Sequence, residues 1–194
     1  PKFREELGGK KVIWQGVDEA TVTSKGGAKF ERLEDGSWLP SGPNATHDTY
    51  EIRTTMTGEH FTGVLLECLP DARLPNKSLG RYSNGNFVLT RVEGEIVPAN
   101  GKPLPLKFTR IESDYSQKGW DIKNVNNGQS GKGWAVNGPT RREPIKALFL
   151  ASQPVAVPNE AMVVMRFVCA TLNQHNLGRF RLSLTGAAPA SVSL

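Results

Sequence analysis

Three short loops carry the side chains best suited to holding a ligand. "RYSNGNF" places Arg81 and Tyr82 just before Asn84-Gly85, a strong tight-turn signal. "NGPTRREP" sets Arg141 and Arg142 side by side ahead of a strand, and "NQHNLGRF" brings Asn173, Gln174 and His175 between two others. Guanidinium forks bind carboxylates, sulfates and sugar hydroxyls. Amide and imidazole groups supply the donors and acceptors that a hydroxyl-rich ligand needs. Each group has a competing structural use. Arg141 and Arg142 suit a solvated edge or a pairing with Glu143, Asn84 and Asn86 suit local backbone bonds, and His175 suits a turn fixed through backbone carbonyls.

Chemistry that breaks bonds finds little footing. His47-Asp48 and Glu59-His60 are adjacent pairs, but neither has the His-Glu-x-x-His spacing of a metal site on a helix. There is no nucleophile elbow, phosphate loop or Cys-x-x-Cys. No signal picks out two carboxylates that would meet as in a glycosidase. The three histidines, His47, His60 and His175, are scattered. The expectation is a protein that is not an enzyme and uses no cofactor.

"GWDIKNVNNGQSGKGWAV" encloses a loop rich in Asn and Gly between Trp120 and Trp134. Trp134 is expected to pack beneath the loop with its indole N–H on a carbonyl, because a buried indole seeks an acceptor. Trp120 has a similar expectation. Trp38, among the turn residues of "DGSWLPSGP", is the indole expected to be exposed.

The elements that must position these loops read as strands. The chain has 194 residues, 20 of them Gly and 13 Pro, and 38% are hydrophobic. That composition fits many turns between short strands, and is too apolar for intrinsic disorder. Period-two alternation recurs throughout and helical periodicity is nearly absent. Tyr50, Ile52, Thr54 and Met56 share one face of "TYEIRTTM", as do Leu66 and Cys68 in "GVLLECL" and Phe180, Leu182 and Leu184 in "RFRLSLT". "KVIWQ", "AKFERLE", "NFVLTRVEGEIVP", a stretch from Phe108 to Ile111 interrupted near Arg110, "IKALFLA" and "AMVVMRFVCAT" bring the total to roughly nine or ten strands, as in a sandwich or jelly roll. "LPDARLPNKSLGRYSNG" is a long connection that crosses the sandwich or forms a rim. Residues 1–194 read as one domain with its core at about 12–186, and the tail "GAAPASVSL" reads as a frayed end or linker.

The net charge is +5, which attracts anionic partners. Its basic residues are dispersed, with only Lys10-Lys11 and Arg141-Arg142 adjacent, and there is no zinc-finger spacing, basic helix or RNA-binding aromatic signature. Nucleic acid is therefore not an expected partner. No apolar run approaches a membrane span and no signal peptide is visible. The chain begins at Pro1, so it is expected to be processed or cut from a larger protein. Cys68 and Cys169 each fall in phase with apolar neighbours. They would be either an inter-sheet disulfide or two buried thiols, with the free form favoured.

"SNGNFVLTRVEGEI", "DYSQKGWDIKNVNNGQSGKGWAV" and "HNLGRFRLSLT" follow one another in an order and spacing that resemble a domain of large bacterial proteins bearing planctomycete-type cytochrome c domains. "TGVLLECLPDARLP" adds to that likeness. The middle and last stretches are also similar, more loosely, to discoidin or coagulation-factor type C modules. The resemblance runs from about Trp14 to Thr185. It implies an all-β, two-sheet antiparallel jelly-roll β-sandwich of the galactose-binding-like kind, in an exported, periplasmic or extracellular, multidomain protein.

In similar modules the end of the sandwich holding the last inter-strand loop forms part of a sugar rim, and His175 matches that pattern. The implied ligand is a polysaccharide, anionic or galactose-type, held by Arg81, Tyr82, Arg141, Arg142, Asn173 and His175. The alternative is a structural domain that orients neighbouring domains of the same chain and binds no sugar. Related modules build a structural calcium site from an Asp and a Thr. Here those positions carry Asn127 and Lys132, and nothing after Glu160 is acidic. Calcium prefers several charged oxygens, so no metal is expected. Lys132 would either donate to the loop carbonyls or point to solvent.

Overall fold

The computed structural model describes residues 2–7, 10–128 and 131–194, with side chains from residue 12 onward. Pro1 at the start of the chain, and Gln129 and Ser130 in the Asn- and Gly-rich loop, lie outside the described residues, as do the side chains of Lys10 and Lys11. Among the described residues fifteen strands run in chain order: β1 Lys2–Leu7, β2 Lys10–Gly16, β3 Thr21–Ser24, β4 Lys29–Arg32, β5 Trp38–Ser41, β6 Asp48–Thr55, β7 His60–Leu69, β8 Val88–Leu89, β9 Arg91–Val97, β10 Leu104–Leu106, β11 Phe108–Ser113, β12 Trp134–Ala135, β13 Ile145–Ala156, β14 Met162–Cys169 and β15 Arg179–Thr185. Short 3-10 turns cover Pro75–Lys77, Ile122–Asn124 and Pro189–Ser191.

Two antiparallel sheets pack as a sandwich. One follows the order β1-β2-β15-β7-β13-β11, with β5 also against β15 and β4 against β5. The other follows β10-β9-β14-β6-β3, and β8 and β12 form a small separate ladder. Alternation is the cause. Tyr50 and Ile52 of β6 and Val163, Met165 and Phe167 of β14 face Leu66 of β7, Phe149 of β13 and Phe180 and Leu182 of β15 in one core. Each such side chain contributes about 1.5–3 kcal/mol when fully buried. Cys68 and Cys169 are free and buried, and burial pushes the Cys169 thiol up to about 12. The interruption expected near Arg110 is a register shift between Phe108 and Arg110. Among the strands absent from the sequence reading, β5, β10 and β12 are two to four residues long, too short to show a period, while the six-residue β1 is absent from it as well.

The tail is not frayed. Val192 is 2% exposed and joins Val12, Trp14, Leu65, Leu148 and Leu150 in a second cluster on the outer face of the larger sheet. Arg110 fastens it, with Nη1 donating to Pro189 O at 3.1 Å and Nη2 to Val192 O at 2.7 Å. That cover buries Leu65 and Arg181 covers Glu67, so β7 is buried on both faces from Phe61 to Leu69.

The same sheet anchors the long connection after β7. Arg179 and Arg181 of β15 point outward. Arg179 Nη2 lies 2.6 Å from Asp35, and Arg181 holds Glu67 through two bonds of 2.7 and 3.0 Å. Arg73 holds Asp71 and Glu31, each at 2.9 Å. The hairpin β4–β5 and the start of the connection are thereby tied to the sheet that carries the rim.

Candidate functional site

The loops at the end where β7 and β14 finish and β6 and β15 begin pack into one rim. The long connection lies in its middle. Arg81 N donates to Asn176 O at 2.9 Å and Gly178 N to Leu79 O at 3.0 Å, which zips the connection to the loop before β15. On the other side the 137–142 loop closes against it so tightly that a Cβ on Gly138 would lie 2.1 Å from Asn86 N. Ser78 Oγ donates to Arg141 O at 2.7 Å, and Asn76 Nδ2 to Gly138 O and Pro139 O at 3.1 and 3.0 Å.

Side-chain amides fix the geometry. Asn86 Nδ2 donates to Gln117 Oε1 at 2.9 Å, while its Oδ1 accepts from Val136 N. The expected local bond at this turn is made by Asn84, whose Oδ1 accepts from Asn86 N at 2.9 Å. The Asn86 side chain itself reaches across to two other segments. Asn176 is fully buried and donates to Asn44 Oδ1 and Ala45 O. Asn44 in turn donates to Arg81 O and Gln174 O. The sequence reading missed Asn44, Asn76 and Asn176. Asn in a loop signals a turn, and its long-range partner is invisible locally.

Four of the six expected site residues come together. The imidazole of His175 stacks on the Tyr82 ring, centroids 3.8 Å apart and planes 18° from parallel. His175 Nδ1 lies 2.8 Å from Asn173 O. A carbonyl only accepts, so Nδ1 carries the proton and Nε2 of the neutral ring is left as an acceptor. The Asn173 side chain is exposed beside it. Arg81, next to Tyr82 in the chain, turns its guanidinium to the 42–43 turn, with Nη1 and Nη2 donating to Pro43 O and Gly42 O, each at 2.8 Å.

Arg141 and Arg142 stand in the adjoining loop and look elsewhere. The Arg141 guanidinium lies 3.9 Å over the Tyr115 ring and bonds Glu143 at 3.2 Å. Arg142 donates to Gly138 O, Arg141 O and Pro139 O, folding the loop around itself. Their contacts run to their own loop and to Tyr115 rather than to the Tyr82–His175 pair.

Trp134 is fully buried and donates from Nε1 to Tyr115 O at 2.9 Å, as its sequence context implies. Trp38 is not the exposed indole expected. Half-buried in β5 opposite Phe180, it carries the Arg32 guanidinium at 5.9 Å. Lys132 is exposed, and among the described residues its side chain bonds no loop carbonyl. What this segment offers is backbone, with Lys132 O accepting from Thr171 Oγ1 at 2.8 Å. The His47-Asp48 pair is split. His47 is exposed, whereas the buried Asp48 carboxylate accepts from Ser24 Oγ at 2.6 Å and from Gly26 N and Thr49 N. Among the described residues no group of His, Cys, Asp or Glu has the arrangement of a metal site.

Comparison with protein-family models, with curated proteins and with solved structures returns no match for this chain.

Proposed function

We propose that the domain is a non-catalytic carbohydrate-binding module that attaches an exported multidomain protein to an anionic or galactose-type polysaccharide. The observation that carries this reading is the Tyr82–His175 stack, with the exposed Asn173 beside it and Arg81 next to Tyr82 in the chain. A sugar ring needs an apolar face, donors and acceptors in one place, and these residues bring them together. Arg81 and Arg142 spend hydrogen bonds on carbonyls, which consume none of their charge, so the rim keeps a positive field suited to sulfate or uronate groups. A jelly-roll, galactose-binding-like topology accords with the two antiparallel sheets and with the sequence resemblance.

Exposed sites of this kind bury little apolar area, so affinity would come from multivalent display. Retention in affinity gels containing sulfated, uronate-rich and neutral polysaccharides tests the reading. Retention that falls with added salt supports it, because exposed charges are screened over about 8–10 Å at ordinary ionic strength. Retention by none of the gels removes it.

A structural domain that orients its neighbours and binds no sugar is the second reading. Its support is that Arg142 and Arg141 are committed to folding their own loop.

A further inference from the structure

A cleft of 550 Å³ opens beside β9, walled by Arg91, Glu93 and Glu95, by Arg166 of β14, and by the apolar stretch around Pro105 and Phe108. A second of 320 Å³ lies between Thr90, Asn124 and Thr171. Arg91 and Gly128 line both, so the two form one groove. Both volumes fall in the range of about 300–1,000 Å³ usual for ligand sites.

The walls are held in place. β10 pairs with β9 only from Gly94 to Ile96, which leaves the edge of β9 open at Val92. Asn126 takes the place of the missing strand, accepting from Val92 N at 2.8 Å and donating to Val92 O at 2.7 Å. It adopts a positive φ of 62° to do so. On the other side a directed chain runs from Ala170 N to Thr90 Oγ1, on to Thr171 Oγ1, and from there to Lys132 O. Because the Thr171 proton goes to a carbonyl, Thr90 must be the donor between the two hydroxyls.

Charge along the groove alternates. Arg91 bonds Glu93 at 3.0 Å, and Arg166 bridges Glu95 and Glu51 at 2.6 Å each. Lys107 adds one more positive charge. Within the lining, Arg91 and Arg166 are thus paired with Glu93 and Glu95 and Lys107 stands in excess, so an ion of either sign would meet its own kind. Vicinal hydroxyls gain from this pattern, since they both donate and accept. Pro105 and Phe108 offer apolar surface to the C–H face of a sugar ring.

We propose that this groove is a second ligand site, for a linear, neutral, hydroxyl-rich chain, and that it acts independently of the Tyr82–His175 rim. The test is an amide-resolved NMR titration with xylohexaose, cellohexaose and mannohexaose. At least one of them should give saturable shifts at Thr90–Glu95 and at Asn124–Gly128. The double change Arg91→Ala with Glu93→Ala should weaken that binding at least tenfold. These side chains are 51% and 47% exposed, so the variant should fold. Glu93→Gln, which keeps the shape, supplies a milder version that should bind several-fold more weakly. Tyr82→Ala should leave the groove shifts unchanged. The proposal falls if no hexasaccharide shifts these amides, if shifts are confined to the rim loops, or if the double variant binds like the parent protein. Loss of polysaccharide retention in the gels with intact groove shifts would remove only the rim reading.

Discussion

His175 lies flat on Tyr82 at 3.8 Å, and the carbonyl of Asn173 holds its Nδ1 at 2.8 Å. The two contacts together fix both the tilt and the tautomer of the imidazole. A ring so placed is ready to present one acceptor at a known position. Tyr82 and His175 come from segments far apart in the chain, so the pair exists only because the long connection is zipped to the loop before β15.

Tyr82→Ala should abolish retention on sulfated or uronate-rich polysaccharide, while costing about 0.5–1.5 kcal/mol of stability, the worth of one aromatic pair. His175→Ala should act in the same direction, and His175→Phe should keep the stack but lose the acceptor. Affinity electrophoresis and thermal unfolding of the three variants check this. Full retention by His175→Ala would take His175 out of the site.

Arg142→Ala should behave differently from Arg81→Ala. Removing Arg142 takes one donor from each of three carbonyls of the 138–141 turn, and each keeps a second from Asn76 or Ser78. A loss of about 0.5–1.5 kcal/mol is expected, which at this chain length lowers Tm by roughly 1–6 °C. Arg81→Ala should lower retention as well as Tm, since it also releases Gly42 O and Pro43 O. Equal Tm values for parent and Arg142→Ala would refute the structural role.

The tail should be part of the folded unit. Val192→Asp puts a charge where a side chain is 2% exposed, and it forfeits about 2 kcal/mol of apolar burial before the cost of the charge is added. Removal of residues 187–194 also strips Arg110 of two carbonyl partners. Both changes should lower Tm clearly. An unchanged Tm after truncation would show the tail to be dispensable.

Acid should weaken the ion pairs that brace β15 and the rim. Burial raises the Asp35 carboxyl, but bonds from Ser37 and the charge of Arg179 more than reverse this, leaving it below its ordinary value. The hydrogen bond from Arg73 lowers Asp71 likewise. Carboxyls depressed in the folded state contribute stability that is complete above the unfolded value, about 4, and is lost as pH falls through the folded value. Tm should therefore decline steadily below about pH 4. Arg179→Gln should flatten that decline, which a series of melts from pH 7 to pH 2 would reveal.

Chelator should leave the melting temperature alone. The loop holding Asn127 and Lys132 presents amides and an exposed ammonium where calcium prefers charged oxygens. A bound ion would raise stability by mass action. A fall in Tm with EDTA that calcium reverses would overturn this account of the loop.

The sequence by itself determined the sandwich. β6 and β15 alternate clearly enough that Tyr50 and Phe180 could be placed inside from their neighbours alone, and Phe167 falls in phase with Val163 and Met165 of β14. Trp134 under its loop and the irregularity near Arg110 were readable in the same local way. A period of two is carried by each strand and requires no partner to be seen. The tail, the indole of Trp38 and the roles of the paired arginines were decided only by tertiary structure. "GAAPASVSL" has no period, and Val192 is buried because Trp14 and Leu65, far away in the chain, leave a face to be covered. Arg142 and Arg81 share one chemistry, yet one folds its own loop and the other clamps the 42–43 turn beside Tyr82. Where a guanidinium or an amide finds its partner depends on which carbonyls the fold delivers to it, and contacts across 30 to 130 residues leave no mark on the residues next door.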